Sequence, residues 1–277
     1  MNFLENFYHY LERAPSNGVI THSNNNGSFT TGYIATTKET QTGIFVDYDV
    51  KICSLACIEA YKSERERKPK LDWQFIYDRK MSKDRFAVYR GNGLTKSAVI
   101  AVRGTRDPID FATDGLLGLS LQDFSLSIAG QLRDLHMVSD VLVRDGVEKD
   151  NIYICGHSLG SLVSMYFHYT HPESDCKVFN PGVPLSSRLP HMEGLSRKYK
   201  IHDVLKMSFI TSYRIKEDPI SQISSGTIPD EVVISPNPPP RTKKQAHSME
   251  YLNSMLKLNF TLTMDNPYAG IINNFSS

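Results

Sequence analysis

The stretch NIYICGHSLGSLVSMYF, residues 151–167, decides the fold class of this chain of 277 residues. Its first part, residues 151–155, is a short apolar run that is typical of a buried strand. A glycine-flanked serine follows at Gly156 to Gly160, after which apolar residues return at helical spacing. A strand that passes through a tight turn into a helix is the unit from which parallel sheets are built.

The same alternation of strands and helices continues on both sides of this stretch. It predicts an α/β fold with a mostly parallel central sheet and helices on both faces. The Asn-rich run at 24–27 makes residues 15–32 a predicted loop. Strands are expected at 85–90, 97–102, 151–155, 177–179 and 208–215, the first two forming a hairpin, and helices at 1–13, 45–64, 127–145 and 247–256.

The composition fits one soluble folded domain. Apolar residues make up 40% and charged residues 22% of the chain, and the net charge of +1 gives no field that favours nucleic acid. We expect a single domain over 1–277, with 1–44 as an N-terminal helix and loop extension. The chain has no run of roughly 18 apolar residues and no secretory signal pattern, which predicts an intracellular location without a transmembrane segment. Peripheral membrane association stays open, and the oligomeric state is not predicted.

The four cysteines predict free thiols rather than a metal site or a disulfide framework. Cys53 and Cys57 lie four residues apart, but no second Cys or His pair follows at the spacing of a zinc site. Cys155 lies in an apolar run and is typical of a small buried side chain. We therefore expect neither a bound metal nor a cofactor.

Ser158 is the candidate nucleophile. A serine at the tightest point of a strand–turn–helix projects its hydroxyl from the edge of the sheet, and Gly156 and Gly160 allow the close approach because they carry no Cβ. The following helix directs unpaired N–H groups at the same point, so the backbone N–H of Leu159 is a candidate oxyanion donor. A plain strand–helix turn with a capping serine is the alternative interpretation.

The candidate base is His247. In hydrolases built on this motif, the acid and then the histidine follow the serine in the chain. His168 and His171 lie at the far end of the helix that starts at the serine, about 15 Å away by the rise per residue. His191 and His202 remain, but only His247 also follows an acid at a strand end and stands where a predicted helix begins. A surface histidine near a helix start is the alternative.

The candidate acid is Asp218, three residues after the predicted strand 208–215. Sites in open α/β sheets gather at the carboxyl ends of strands, where this aspartate is expected to lie. Asp203 and Asp230 are further candidates, and an aspartate that only caps a turn is the alternative. With Asp218 holding the imidazole, the three side chains predict acyl transfer in which the histidine takes the proton of the serine.

Four blocks of sequence resemble the class 3 lipase family, the fungal-type triacylglycerol lipases and their intracellular relatives. The blocks follow that family's order and are VIAVRGT at 99–105, DFATD at 110–114, GHSLG at 156–160 and YRIKEDPI at 213–220. The resemblance implies an α/β-hydrolase fold. It also implies an ester hydrolase that acts on lipid esters, as an acylglycerol lipase or a phospholipase of the A type, at a membrane or droplet surface.

The resemblance further implies roles for the segment that begins at Thr105. At this position the family completes its oxyanion hole with a backbone N–H and a hydroxyl. A lid over the acyl groove would follow within 107–121, and an ordinary packed helix is the alternative for this segment. The candidate lid residues are Asp110, Phe111, Leu116 and Leu117.

Two other classes of function stay open. A silent α/β-hydrolase fold that serves as an interaction module would have no need of the complete set Ser158, Asp218 and His247. A soluble small-ester esterase or an acyltransferase would keep the set and differ only in its substrate.

Overall fold

The computed structural model describes residues 19–23, 29–33, 44–93, 95–104, 121–182, 210–224, 228 and 230–258. The strands are β1 (Val19–Ser23), β2 (Phe29–Tyr33), β3 (Ile44–Val46), β4 (Phe75–Tyr77), β5 (Phe86–Gly91), β6 (Ala98–Val102), β7 (Ile152–His157), β8 (Asp175–Phe179), β9 (Ile210–Ile215), β10 (Asp230–Ile234) and β11 (Leu256–Leu258). The helices are α1 (Tyr48–Ala60), α2 (Leu121–Arg144), α3 (Leu159–Thr170), α4 (Lys243–His247) and α5 (Met249–Met255).

A mixed sheet of seven strands forms the centre of the fold, in the order β10-β9-β8-β7-β6-β5-β4. The strands β6 to β10 are parallel to one another, whereas β4, β5 and β6 pair antiparallel. The predicted hairpin and the predicted mostly parallel sheet are thereby confirmed. Because β6 to β9 run in one direction, their last residues form one edge of the sheet, here called the carboxyl edge, and their first residues form the opposite, amino edge.

Both faces of this sheet are covered by helices. Along β6, Ala98, Ile100 and Val102 belong to one buried cluster, and Val99 and Ala101 belong to another. Successive side chains of a strand point to opposite faces, so the two clusters lie on opposite sides of the sheet. Helices α2 and α3 contribute to the first cluster, and α1 and α5 contribute to the second. The predicted layering of the α/β class is confirmed.

Helix α2 buries the face that its sequence predicts. Each of its fully buried aliphatic side chains contributes about 1.5–3 kcal/mol relative to exposure, which holds the helix on the sheet. Gly146, with φ of 95°, stands just after the helix in the left-handed conformation that glycine adopts without strain. The buried residues of this face are Ile128, Leu132, Leu135, Val138 and Leu142.

The prediction of a loop over residues 15–32 is wrong for residues 19–23 and 29–32, while the rest of this range lies outside the described residues. Strands β1 and β2 pair antiparallel in this region, with Val19 opposite Tyr33. The Asn-rich run marks only a connection between strands, and the β-branched residues on either side of it favour extended backbone.

Two predicted helices also have different limits in the structure. The helix expected from residue 45 begins at Tyr48, because Ile44–Val46 pairs with β11. The helix expected at 247–256 is two helices, and the second begins after Ser248, whose hydroxyl accepts a hydrogen bond from the Tyr251 N–H at 3.1 Å. His247 is therefore the last residue of α4 and not the first residue of a longer helix.

The helix predicted at 1–13 lies outside the described residues. Among the helices that are described, none is long and apolar enough to cross a membrane. All four cysteines are buried free thiols.

Candidate active site

Ser158 occupies a strained turn between β7 and α3. Its φ of 55° and ψ of −128° lie in a region that residues with a Cβ rarely adopt, at a cost of about 1–3 kcal/mol. A Cβ added to Gly156 would lie 2.4 Å from the Gly160 carbonyl oxygen, and one added to Gly160 would lie 2.3 Å from the Val102 carbonyl oxygen. The turn therefore requires glycine at both flanking positions, as the motif predicts.

The turn at Ser158 is held at the carboxyl edge by its neighbours. Its N–H donates to the Phe179 carbonyl at 3.2 Å, and its carbonyl accepts from the Gly182 N–H at 2.9 Å. A Cβ added to Gly104 would lie 2.8 Å from the Cβ of Ser158. The segments that leave β6 and β8 thus contact the serine from two sides.

The structure describes one of the two predicted oxyanion donors, Leu159, but not the other, Thr105. Leu159 is the first residue of α3, so its N–H has no acceptor within the helix. Thr105 lies outside the described residues, but its neighbour Gly104 is in contact with Ser158. The predicted lid residues also lie outside the described part of the chain: Asp110, Phe111, Leu116 and Leu117.

His247 and Asp218 form a buried pair. The distance from His247 Nδ1 to Asp218 Oδ2 is 2.9 Å, and the two residues are 2% and 0% exposed. The carboxylate also accepts from the N–H groups of Ile220 at 3.1 Å and Ser221 at 3.2 Å. Three donors therefore compensate the desolvation of the Asp218 carboxylate.

The second nitrogen of His247 is buried and has no hydrogen-bond partner within the described residues. Because Nδ1 donates to Asp218, Nε2 of the neutral ring carries a lone pair. A lone pair on a ring nitrogen that accepts no hydrogen bond is available to a proton from a neighbouring hydroxyl. This nitrogen is therefore the atom best suited to take a proton.

The serine turn and the His247–Asp218 pair meet at the carboxyl edge. The imidazole rings of His157, which precedes Ser158, and His247 have centroids 4.7 Å apart. A Cβ added to Gly182 would lie 3.2 Å from the carbonyl carbon of Ser158 and 3.4 Å from the side chain of Ile220. The structure thus brings all three predicted side chains into one region of the sheet.

The other candidate acids and bases are not in this region or are not described. Asp230 starts β10 opposite Thr211, near the amino edge, and accepts from the hydroxyl of that residue at 3.0 Å. His168 lies near the end of α3, with Nδ1 3.2 Å from the Ser174 hydroxyl. Outside the described residues lie Asp203, His191 and His202.

Three polar side chains at the site are not predicted from the sequence: Tyr61, His157 and Asn180. His157 Nε2 lies 2.7 Å from the His247 carbonyl oxygen, and its Nδ1 lies 2.6 Å from the Tyr61 hydroxyl. Asn180 Nδ2 donates to the Ala246 carbonyl at 3.0 Å. The signals that could have found them are the place of His157 beside the serine and the Asn-Pro-Gly break after β8.

Within the described residues, no group of three or more His, Cys, Asp or Glu side chains could hold a metal ion. Comparisons with protein-family models and with curated proteins give no match to this chain. What the site can do is therefore inferred from its own geometry and from the sequence motifs.

Proposed function

We propose that this chain is a serine ester hydrolase of the α/β-hydrolase type that acts on lipid esters. The observation that carries the proposal is the buried His247–Asp218 hydrogen bond of 2.9 Å, which leaves Nε2 of the histidine without a partner among the described residues. This ring lies at the carboxyl edge, next to the strained turn that presents Ser158. A nucleophile, a base and a group that orients the base are the parts that acyl transfer needs.

In the proposed reaction, the lone pair on His247 Nε2 takes the proton of the Ser158 hydroxyl while Oγ attacks the ester carbonyl carbon. Asp218 keeps the other proton on Nδ1 and stabilises the imidazolium that forms. The imidazolium then returns a proton to the leaving alcohol, and an acyl-enzyme remains on Ser158. Water repeats the sequence with the acyl group and releases the carboxylic acid.

Negative charge develops on the carbonyl oxygen of the ester in both steps. The N–H of Leu159 is one donor to this oxygen, because it has no acceptor within α3 and stands beside the nucleophile. Thr105 is the second donor in the proposal, by the family resemblance and by the contact of Gly104 with Ser158. Each such donor contributes about 10²- to 10³-fold to the rate.

The substrate class of the proposal is a lipid ester, and the family resemblance supports it. The resembling blocks surround the site: GHSLG carries Ser158, YRIKEDPI carries Asp218, and VIAVRGT ends at Thr105. The sequence directly after that last block, residues 107–121, is rich in leucine, which is compatible with an apolar substrate.

Hydrolysis of p-nitrophenyl esters with acyl chains of increasing length tests the proposal, in solution and at an emulsion interface. We expect hydrolysis that favours long chains at the interface and that is lost in Ser158→Ala and His247→Ala. Ser164→Ala is the matched control, because this buried serine of α3 donates to the Gly160 carbonyl at 3.0 Å and has no place in the reaction. Hydrolysis of short soluble esters alone would indicate a small-ester esterase, and a wild-type protein inactive on every ester would favour a silent interaction module.

A further inference from the structure

We propose that His157 and Asn180 are positioning residues that hold the main chain of His247 in place for proton transfer. The proposal rests on the proposed function above. Two consecutive carbonyl groups, those of Ala246 and His247, each accept a hydrogen bond from a side chain at the end of a neighbouring parallel strand. The base is therefore fixed at its ring by Asp218 and at its backbone by two further groups.

Asn180 directly follows β8, is fully buried, and has a positive φ of 41°. Its backbone N–H donates to the Tyr213 carbonyl at 2.7 Å, and its side-chain Oδ1 accepts from the Ile215 N–H at 2.8 Å. Since Oδ1 faces a donor, the amide nitrogen must face the Ala246 carbonyl, to which it donates at 3.0 Å. This one side chain thus joins the end of β9 to the residue before the base.

His157 is the last residue of β7 and is 3% exposed. The His247 carbonyl can only accept, so the proton of the imidazole lies on Nε2. The Tyr61 hydroxyl then donates to Nδ1 at 2.6 Å, and its oxygen accepts from the Gly104 N–H at 3.0 Å. Burial, and secondarily the neighbouring His247, hold the pKa of His157 well below its usual value, which keeps the ring in this neutral form.

This arrangement connects the groups that the reaction requires. One chain of hydrogen bonds runs from Gly104, which precedes the proposed donor Thr105, through Tyr61 and His157 to the backbone of His247. The backbone of Gly104 and the backbone of His247 are therefore both linked to His157 at the end of β7.

The short helix α4 makes this support necessary. It has five residues, and the last carbonyl groups of any helix have no partner within it. Asn180 and His157 supply partners to two of these carbonyls and so fix the end of α4 from which the ring of His247 projects. A misplacement of a catalytic group by about 1 Å costs roughly 100-fold in rate, so loss of either contact should slow the reaction.

Four variants of the full chain test whether His157 and Asn180 position His247 or only stabilise the fold. His157→Phe removes both hydrogen bonds at similar volume, and His157→Gln restores a donor near the position of Nε2. Asn180→Asp tolerates positive φ and keeps the acceptor for Ile215, but it replaces the donor to Ala246 with an oxygen. His168→Phe is the matched control, because it replaces a buried histidine about 15 Å from the serine by helix geometry.

The first measurement is the rate at which a fluorophosphonate probe labels Ser158, as a function of pH and per folded molecule. We expect labelling to slow about 10- to 100-fold in His157→Phe and Asn180→Asp. His157→Gln should recover most of the rate, and His168→Phe should label like the wild type. Folded His157→Phe and Asn180→Asp variants that label at the wild-type rate with an unchanged pH profile would overturn the proposal.

The second measurement does not depend on activity. In protein with ¹⁵N-labelled histidine, the Nδ1–H signal of His247 is identified by its loss in His247→Ala, and it should broaden or shift in His157→Phe and Asn180→Asp. If the wild type is not labelled by the probe, the proposed function fails, and this signal alone decides the positioning role. A signal unchanged in both variants would then overturn that role as well.

Discussion

The amino edge of the central sheet holds a cluster of opposite charges, whereas the carboxyl edge holds the strained turn of Ser158 and the Asp218–His247 pair. At the amino edge, the Lys177 ammonium lies 2.6 Å from Asp49 Oδ2 and also donates to Asp175. Burial alone would lower the pKa of Lys177, but the two carboxylates outweigh it and raise this pKa well above its usual value. The one ammonium is shared by the two carboxylates, so each charge of this cluster lies beside an opposite charge.

The carboxyl edge keeps two features that cost stability. Ser158 holds a strained backbone, and His247 buries a nitrogen without a partner among the described residues. The hydrogen bonds of Asp218 with His247 and of Asn180 with Ala246 hold this region in place. They neither relieve the strain at Ser158 nor give Nε2 of His247 a partner. Strained backbone and unpaired buried groups that the rest of the fold stabilises are typical of functional sites.

The amino edge also has a cavity of about 290 Å³, which allows a further comparison of the two edges. Asp49 and Lys96 are among its lining residues, and both have partners, since Asp49 pairs with Lys177 and Lys96 lies 3.8 Å from Glu148. A cavity at the edge of a sheet is thus not by itself evidence of a catalytic site. The strained turn at Ser158 and the Asp218–His247 pair distinguish the carboxyl edge from this cavity.

The largest expected effect is the loss of ester hydrolysis in His247→Ala, a variant at the carboxyl edge. Removal of the base should lower ester hydrolysis by about 10⁴-fold or more, because Ser158 then has no group to take its proton. The free energy of unfolding should also fall, because the buried Asp218 carboxylate loses one of its three donors. Steady-state kinetics with urea denaturation of the same preparation checks both, and an active His247→Ala would contradict the assignment.

The second effect compares one aspartate from each edge. Asp218→Asn should lower turnover about 10³- to 10⁴-fold, because the amide can donate to His247 Nδ1 and so favours the wrong tautomer. Asp49→Asn should leave turnover unchanged, since Asp49 contacts Lys177 at the other edge. Turnover numbers of the two folded variants give the comparison, and equal losses would remove the distinction between the edges.

The third effect is on stability, in Lys177→Met. The ammonium is almost fully buried, and its loss leaves Asp49 and Asp175 together without a counter-charge. We expect the free energy of unfolding to fall by about 3–5 kcal/mol while activity per folded molecule stays at the wild-type level. Urea denaturation measures this loss, and a selective loss of activity would show that the amino edge also serves the reaction.

The smallest effect concerns pH and His168, near the end of α3 towards the amino edge. Burial lowers the pKa of His168 to about 4, whereas an unfolded histidine has a pKa of about 6.5. Below pH about 6.5 the unfolded chain therefore binds a proton that the folded chain does not, so stability falls with pH down to about 4. This histidine should cost about 2–3 kcal/mol between pH 7 and pH 4.5.

The variant His168→Leu isolates this contribution. It should show a shallower loss of the free energy of unfolding between pH 7 and pH 4.5 than the wild type. The remaining slope includes His157, whose pKa burial also lowers. Equal slopes in wild type and variant, from urea denaturation at both pH values, would show that His168 does not titrate as described.

The parts of the site that were predictable are those with a local steric or positional signature. Gly156 and Gly160 flank the serine because any Cβ there would meet backbone within 2.4 Å, and this demand is visible in five residues. The place of Asp218 after a strand and the position of His247 later in the chain make both of them candidates from sequence alone. The strand–turn–helix pattern also predicted the parallel sheet.

The parts that escaped prediction depend on contacts between distant residues. His157 and Asn180 bind main-chain carbonyls that lie 90 and 66 residues away, and a carbonyl carries no sequence signal. Tyr61 is one of fourteen tyrosines, and only the fold places its hydroxyl between Gly104 and His157. The pairing of β1 with β2 was missed because asparagines mark a hairpin turn and a longer loop alike.

The most direct test of the central claim is the site of covalent capture by a fluorophosphonate. Peptide mass mapping after a brief reaction should place the adduct on Ser158 alone, with no adduct in Ser158→Ala and strongly slowed labelling in His247→Ala. Ser164→Ala should react like the wild type. An adduct on another residue, or labelling that persists in Ser158→Ala, would contradict the assignment of Ser158 as the nucleophile at the carboxyl edge.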